Sequence, residues 1–478
     1  MNLLQPFVGG AFRASAAATP VASLNPSDLL DIVAQVPEGA SEDVEGAVAA
    51  ALEAQMRWAE VPGPGKADVL HRWAGVLQGR QEELARLMMR EVGKPIAEAR
   101  GEAARAVAIL RYFAGEAVRE AGEVVPSQVP DTLQFTLRDP LGVVGLVTPW
   151  NFPAAIPLWK AAPALAFGNA VVLKPSELAS ACADFLARSA QEAALPPGLF
   201  NVVHGLGGTV GEALLTHPRV RALSFTGSAA VGARVAQAAS ARNARFQTEM
   251  GGKNAALVLA DADLDRAAAL VCGGAMRFAG QKCTATSRVI VERKVMEAFL
   301  PKLQAQIASQ VLGPVTDPAC TIGPLIRETS RAKALRLLQD QSTRILAGGR
   351  AVLGDPFARG VFLEPTLVAG VAPDSPLATE ELFAPVLVVL PAEDLEEAIA
   401  LANGSDFGLS ASLFTKDLAA SLRYVRRIQA GLVRVNGDTT GVDPHAPFGG
   451  VKGSSSGSRE QGRAARDFYT EIRTIQIS

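Results

Sequence analysis

Between residues 41 and 122 apolar residues recur at every third or fourth position in an Ala-, Glu- and Arg-rich stretch. That rhythm turns one face of each segment toward a core and predicts helices. Ser41-Glu42-Asp43-Val44 reads as a helix start, with Ser41 as the capping residue and acids in the first turn. Pro62-Gly63-Pro64-Gly65 interrupts the rhythm, and helices resume to about Gly122. The period then shortens. Residues 132–138 alternate like a strand with one exposed face. Apolar runs follow at Val143–Thr148, Ala170–Leu173, Phe200–His204, Ala222–Phe225 and Ala255–Leu259, with helical stretches between them. Strands alternating with helices at this spacing predict a doubly wound parallel sheet. A second series runs through Arg288–Val291, Leu387–Leu390, Ala411–Phe414 and Leu432–Val435, with helices expected at 294–310, 328–340 and 394–403. It predicts a second α/β domain. Residues 474–478 read as a strand with no partner close in sequence.

Composition narrows the picture. A chain of 478 residues calls for two or three domains. The net charge of −2, without a basic run, argues against nucleic acid or an anionic membrane as partner. Cys182, Cys272, Cys283 and Cys320 form no CxxC pair, and only four His accompany them, so neither a metal cage nor a disulfide framework is expected. A reducing cytoplasm is the simplest compartment. The first residues lack a basic region followed by an apolar stretch, so no signal peptide is expected. The most apolar window, 154–173, carries Lys160, Asn169 and two prolines, which suits buried helix and turn better than a membrane span.

Two motifs suggest chemistry. Cys283 lies in Gly280-Gln281-Lys282-Cys283-Thr284, and Glu249 opens Glu249-Met250-Gly251-Gly252-Lys253. A thiol can attack a carbonyl, and the resulting thioester needs water and a base, so Cys plus Glu suggests covalent catalysis ending in hydrolysis. A cysteine taken at random is more often a small buried hydrophobe. The glycines around both motifs weigh against that reading, because backbone approaches closely where side chains are absent.

Other candidates sit where strands end. The turn Gly205–Gly211 departs from the dinucleotide fingerprint at Val210, and strand–helix turns are common without a ligand. Phe225-Thr226-Gly227-Ser228 runs from strand into helix, where the N-terminus and the Ser228 hydroxyl can meet a pyrophosphate. Lys174-Pro175-Ser176-Glu177 offers two groups able to bond a ribose diol, or simply a solvated turn. Asn151, in Pro149-Trp150-Asn151-Phe152-Pro153, carries an amide donor suited to an oxyanion, or is a turn-forming Asn.

Taken together, residues 149–153, 174–177, 225–228, 249–253, 280–283, 380–386 and 447–454 make the chain resemble the aldehyde dehydrogenase superfamily over essentially its whole length. The resemblance implies an aldehyde-dehydrogenase-like α/β fold: two doubly wound domains plus a small β oligomerisation element. It implies an NAD(P)-binding domain from 1–122 and 141–251, a catalytic domain at 252–440, and an oligomerisation element from 123–140 and 462–478. The implied catalytic residues are Cys283 as nucleophile, Asn151 in the oxyanion hole, Glu249 as base, and Lys160 with Glu460 as a proton relay. The implied cofactor contacts are Thr148, Pro149, Trp150, Lys174, Ser176, Glu177, Gly207, Gly211, Phe225, Thr226, Gly227, Ser228, Gly251, Glu381 and Phe383. Arg459 and Glu471 look like the family's structural ion pair. The expected cofactor is NAD, with NADP tolerated, and the expected assembly a homodimer or homotetramer.

Two departures stand out. Ala384 replaces the family's usual Gly, and the tail at 452–460 is one residue longer than the commonest form. Three other classes are weighed: a CoA-acylating relative, a non-catalytic structural member and an unrelated thiol hydrolase. Glu249 argues against the first, the joint presence of Cys283, Glu249 and Asn151 against the second, and Lys174 with Glu177 against the third. Segments 440–448, 282–288 and 454–460 look like those of 2-oxoglutarate-semialdehyde (2,5-dioxopentanoate) dehydrogenases. Trp159, where succinic-semialdehyde enzymes often have Arg, weakens that alternative; a general aldehyde dehydrogenase is the other. The expected substrate pocket is Phe152, Ile156, Trp159 and Phe448, with His445 at its mouth.

Overall fold

Valine- and leucine-rich runs with no polar face demand cover on both sides, and in the computed structural model they form the middle of two sheets. Residues 3–119, 121–339 and 344–478 are described. In the first sheet five parallel strands stand in the order Phe200–Val202, Ala170–Lys174, Val143–Val147, Val220–Thr226 and Arg245–Glu249. Numbered by sequence this is 3-2-1-4-5, so connections run to opposite sides at the gap between Val143–Val147 and Val220–Thr226. A crevice opens at the carboxyl ends of strands at such a reversal. One edge is closed by Phe7–Val8 and Ala11–Phe12. The other is closed by Ser455–Ser456, antiparallel to Arg245–Glu249.

Four helices lead into this sheet: α1 (Ser41–Ala59), α2 (Gly63–Gly79), α3 (Gln81–Val92) and α4 (Ile96–Glu116). Their apolar faces bury Trp58, Trp73, Leu110 and Phe113, and each indole N–H finds an acceptor: Trp58 on the Leu165 carbonyl and Trp73 on Ser189 Oγ, both at 2.8 Å. α3 ends at Gly93, φ 67°, a left-handed turn that glycine adopts without strain. α5 (Ala155–Ala166) is buried on every side.

The second sheet runs Arg344–Ala347, Thr366–Ala369, Val386–Ala392, Thr286–Glu292, Asn254–Val258, Ser410–Phe414 and Leu432–Val435. Its first pair is antiparallel and the rest are parallel. It has its own core, including Phe299, Phe414 and Tyr424. A third, three-stranded sheet pairs Thr470–Ile477 with Leu133–Pro140, and the latter with Val124–Val125. The lone terminal strand thus finds its partner more than three hundred residues upstream, for example Ile472 opposite Arg138.

Several expectations need correction. Ser41 is the first helical residue, not the cap: Ala40 holds that position, and Asp43 accepts its N–H at 3.1 Å. Gly63 lies inside α2 rather than in a break, and the helical stretch ends at Glu116. The terminal strand begins at Thr470. Glu471 pairs with Arg245, at 3.2 Å, while Arg459 donates to the Gly450 carbonyl. The hairpin Pro20–Asn25/Asp28–Pro37 and the strand Arg245–Glu249 were not foreseen. The expected helix end at residue 340 lies outside the described residues. Among the described residues no helix is long and apolar enough to cross a membrane.

Candidate active site

Cys283 follows a backbone that doubles back on itself. Phe278, Ala279 and Gly280 take φ of 54°, 52° and 68° in succession, the first two unfavourable for residues with a Cβ. A Cβ at Gly280 would lie 2.4 Å from the Ala384 carbonyl oxygen, so the chain passes there only as glycine. Two amides fix the far side of the turn. Gln281 donates to the Phe278 and Pro324 carbonyls and accepts from the Ile326 N–H. Asn254 donates to the carbonyls of Cys283 and Ala285, at 2.8 and 2.9 Å. Strain at this turn is held by hydrogen bonds from three separate segments.

The thiol lies where two cavities meet. The first, about 200 Å³, opens at the strand-order reversal and is lined by Pro149, Trp150, Asn151, Ile156, Thr226, Gly227, Ser228, Met250, Gly251, Cys283, Glu381 and Phe383. Trp150 stands edge-on to Phe383, centroids 5.8 Å apart. The Glu381 carboxylate accepts the Gly252 N–H at 3.0 Å, and burial raises its pKa. Thr226 Oγ1 and the neighbouring Thr148 Oγ1 are buried without a hydrogen-bond partner among the described residues. Ser228 precedes the helix Ala229–Ser240 without capping it, so the first N–H groups of that helix are not taken by this side chain. Unpaired hydroxyls, a free helix N-terminus and an aromatic wall suit a dinucleotide.

Farther out, the Lys174 ammonium is 3.6 Å from the Glu177 carboxylate. Burial lowers the Lys174 pKa. Ser176 accepts the Leu178 N–H, and the Phe225 ring packs beneath Gly227. The Gly207–Gly211 turn is pinned to the Glu38 carbonyl through Leu206 N–H and Thr209 Oγ1. Lys174, Ser176, Glu177, Gly207 and Gly211 do not line the cavity at Cys283.

The second cavity, about 280 Å³, is lined by Ala97, Glu98, Gly101, Glu102, Arg105, Phe152, Trp159, Arg277, Lys282, Cys283, Thr284, Thr440, Gly441, Val442 and Phe448. Phe152, Trp159 and Phe448 therefore line this one cavity. Ile156 does not: it faces the first cavity. His445 is also absent from the lining; it is exposed, with its ring 6.4 Å from that of Tyr112. The sequence reading missed the charged face of α4. Lys282 binds Glu98 at 2.6 Å. Lys94, thrown inward by the Gly93 turn, binds Glu102 and donates to the Asn151 carbonyl at 2.7 Å. The other oxygen of Glu102 accepts the N–H groups of Ala154 and Ala155 at 2.9 and 3.0 Å, where α5 starts. This network sets the backbone of Asn151. Its amide donates to the Gln281 carbonyl at 3.0 Å, which leaves its second N–H available.

Glu249 ends its strand beside Ser455, whose hydroxyl donates to one carboxylate oxygen at 2.6 Å. The other oxygen is buried without a partner among the described residues. Burial first, and then the charge of Glu460, push its pKa well above the usual carboxylate range. Lys160 and Glu460 form a separate buried pair, closed by Trp159 Nε1 at 2.7 Å and Ser224 Oγ at 3.1 Å. No direct hydrogen bond joins that pair to Glu249; Ser455 is the group that touches it. Burial, then the carboxylates of Glu381 and Glu249, push the Cys283 thiol up to about 12. The thiol is therefore protonated at neutral pH until a positive charge arrives beside it. A cysteine thiol, an amide with a free N–H and a buried carboxylate of raised pKa together suit acyl chemistry at a carbonyl.

Residues 12–475 match the aldehyde dehydrogenase family. The chain is 44% identical to an α-ketoglutaric semialdehyde dehydrogenase of Bacillus subtilis, over 100% of this chain and 98% of that protein. It superposes on the crystal structure of an NAD-dependent aldehyde dehydrogenase from Sinorhizobium meliloti with a TM-score of 0.96 at 36% identity, covering 100% of this chain and 95% of that one. A betaine aldehyde dehydrogenase from Staphylococcus aureus, solved in complex with NAD+, gives 0.96 at 30% identity, covering 99% and 94%.

Proposed function

The chain belongs to the aldehyde dehydrogenase family, and from that premise we propose that it oxidises a short semialdehyde with a carboxylate at its far end, 2,5-dioxopentanoate first among them, to the carboxylic acid. The observation that carries this reading is the position of Cys283, reached from one side by a cleft suited to a dinucleotide and from the other by a cavity with a charged wall. The name of the Bacillus subtilis relative supports the substrate.

Cys283 Sγ forms a bond to the aldehyde carbon, and its proton passes to a neighbouring base. The oxygen becomes an oxyanion, held by the free N–H of Asn151. NAD+, which Trp150, Thr226, Ser228, Glu381 and Phe383 would hold, would supply the hydride acceptor. Loss of hydride from the tetrahedral carbon leaves a thioester on Cys283. Glu249 then takes a proton from water. The hydroxide adds to the thioester carbon, the C–S bond breaks, and the acid departs. Burial and the charge of Glu460 raise the pKa of Glu249, which makes its carboxylate a stronger base than an exposed one. Its presence also disfavours transfer to CoA, which product analysis with and without CoA tests.

NAD+ is preferred over NADP+ in this reading, because the Glu177 carboxylate beside Lys174 opposes a 2′-phosphate. The chain divides its labour as the resemblance implies: residues 1–122 and 141–251 hold the cofactor and 252–440 carry the thiol. The elements at 123–140 and 462–478 bring subunits together as a homodimer or homotetramer, Val124, Leu133, Ile472 and Ile477 being exposed there. A reducing cytoplasm suits the four free cysteines. The test is NADH formation with 2,5-dioxopentanoate, succinic semialdehyde, pentanal and benzaldehyde at saturating NAD+. The acids should lead in kcat/KM; pentanal or benzaldehyde matching both semialdehydes would reduce the reading to a general aldehyde dehydrogenase.

A further inference from the structure

With His445 outside the cavity, the far end of an acidic substrate needs another receptor, and the charges on the cavity wall can be paired off to find it. Lys282 is held by Glu98, and Lys94 by Glu102. Arg277 leans toward Asp438 at 4.0 Å, with over half of its side chain exposed. Arg105 differs from all three. It lies half-buried on α4, lines the cavity, and donates to a neutral group, the Val442 carbonyl. No carboxylate among the described residues stands within ion-pair distance of it. Arg434, on the strand Leu432–Val435, donates to the adjoining Gly441 carbonyl, so two guanidinium groups grip one loop that also lines the cavity.

We propose that Arg105 receives the distal carboxylate of the substrate and thereby selects short acidic aldehydes over apolar ones of equal length. The proposal rests on the semialdehyde reading above. The spacing along α4 fits it. Glu98 marks the level of Lys282, the neighbour of Cys283, and Arg105 lies seven residues on, two turns along the same face. That is roughly 10 Å of helix. A five-carbon chain spans about 5 Å from aldehyde carbon to carboxylate carbon, given C–C bonds of ~1.5 Å. A charge-assisted contact of about 2.8 Å and the length of the arginine itself close the gap. Burial lowers the pKa of Arg105; the carboxylates of Asp443 and Glu102 offset part of that, and the charge of Arg434 adds to it. Neither carboxylate forms an ion pair with Arg105, and an anion docking on its free N–H groups would favour the charged form further. Val442 keeps one N–H occupied and leaves the rest of the guanidinium fork for a carboxylate, which a point-charge ammonium matches less well.

The experiment measures kcat and KM of the full-length wild type, Arg105→Met, Arg105→Lys and Arg277→Met with 2,5-dioxopentanoate, succinic semialdehyde and pentanal at saturating NAD+. In Arg105→Met the ratio of kcat/KM for 2,5-dioxopentanoate over pentanal should fall by roughly 30-fold, mainly through KM for the acid, as expected for loss of one bidentate ion pair. Arg105→Lys should restore part of it. A ratio unchanged within about twofold in Arg105→Met, with the wild type still preferring acids, overturns the assignment and leaves the semialdehyde reading standing. A larger fall in Arg277→Met than in Arg105→Met also overturns it. A wild type that does not prefer acids removes the reading and the assignment together. If Arg105→Met does not fold, Arg105→Lys decides: a fall carried by KM supports the role, and wild-type kinetics overturn it.

Discussion

The two approaches to Cys283 are built in opposite ways. The side proposed for the cofactor is made of strand ends: Pro149, Trp150, Thr226, Gly227 and Gly251 lie at or just beyond the carboxyl ends of neighbouring parallel strands. Backbone geometry sets these residues, and each carries a short local signature. The side proposed for the substrate is made of side chains from a helix face, a loop at 440–442 and Phe448, beside buried ion pairs. Its shape depends on pairings between residues far apart in sequence. A cleft built on backbone can stay the same while the opposite wall is changed residue by residue, so one scaffold can be fitted to different substrates.

The largest break in the comparison is at the junction. Cys283→Ala should lower turnover by at least ~1000-fold while NAD+ still binds, since nothing on the cofactor side is removed. Calorimetry with NAD+ alongside NADH formation checks it; more than a few per cent of residual activity would remove the thiol from the mechanism.

Glu249→Gln should separate the two half-reactions. A burst of NADH near one equivalent per site is expected, followed by turnover slowed on the order of 100-fold. Stopped-flow absorbance reads both phases, and a missing burst with normal hydride transfer would take the deacylating role from Glu249.

Lys94→Met strips the partner from a carboxylate buried under the substrate wall. Loss of one member of a buried pair costs about 3–5 kcal/mol. Thermal unfolding should shift by several degrees or more, and Lys94→Met with Glu102→Met together should recover part of the loss. If Lys94→Met unfolds like the wild type, the pair does not support that wall.

On the cofactor side the expected effects are smaller. Glu177→Ser should move the NADP+/NAD+ ratio of kcat/KM about tenfold toward NADP+, the worth of one like-charge contact. A ratio that stays put would place the 2′ position elsewhere.

The smallest effect is a shift in pH. The Ser455 hydroxyl favours the charged form of Glu249 and so lowers its pKa against the effect of burial. Ser455→Ala removes that help, so the pKa rises. The base works deprotonated, and the acid limb of kcat should therefore move to higher pH. Glu460→Gln removes a neighbouring negative charge and should move it lower. Limbs that do not part in these directions would mean another group controls deacylation.

What could be read from the sequence follows the same division. The strands Val143–Val147 and Ala170–Lys174 are continuous apolar runs, and their terminal motifs stand out. The strand that delivers Glu249 reads Arg-Phe-Gln-Thr-Glu; its buried Gln247 and Thr248 are paired with Ser224 and Ser456, so the polarity that hid it locally is satisfied at long range. Lys94 and Glu102 look like surface residues until the Gly93 turn and the start of α5 bring them under Asn151. His445 drew attention as a polar residue near Phe448, but one aligned segment cannot say which side of a loop faces inward. Arg105 had no signature at all, being one arginine among many on a helix.

Ser455 lies 206 residues after Glu249 in sequence and still grips its carboxylate, and the strand Thr470–Ile477 covers Leu133–Pro140. A growing polypeptide therefore carries Glu249 and Cys283 before the hydroxyl that steadies Glu249 has been added. A chain cut in the exposed loop near Gly441 would keep Cys283 and Glu249 on one fragment and Ser455 and Glu460 on the other, so the pKa of the carboxylate would depend on the two fragments staying together.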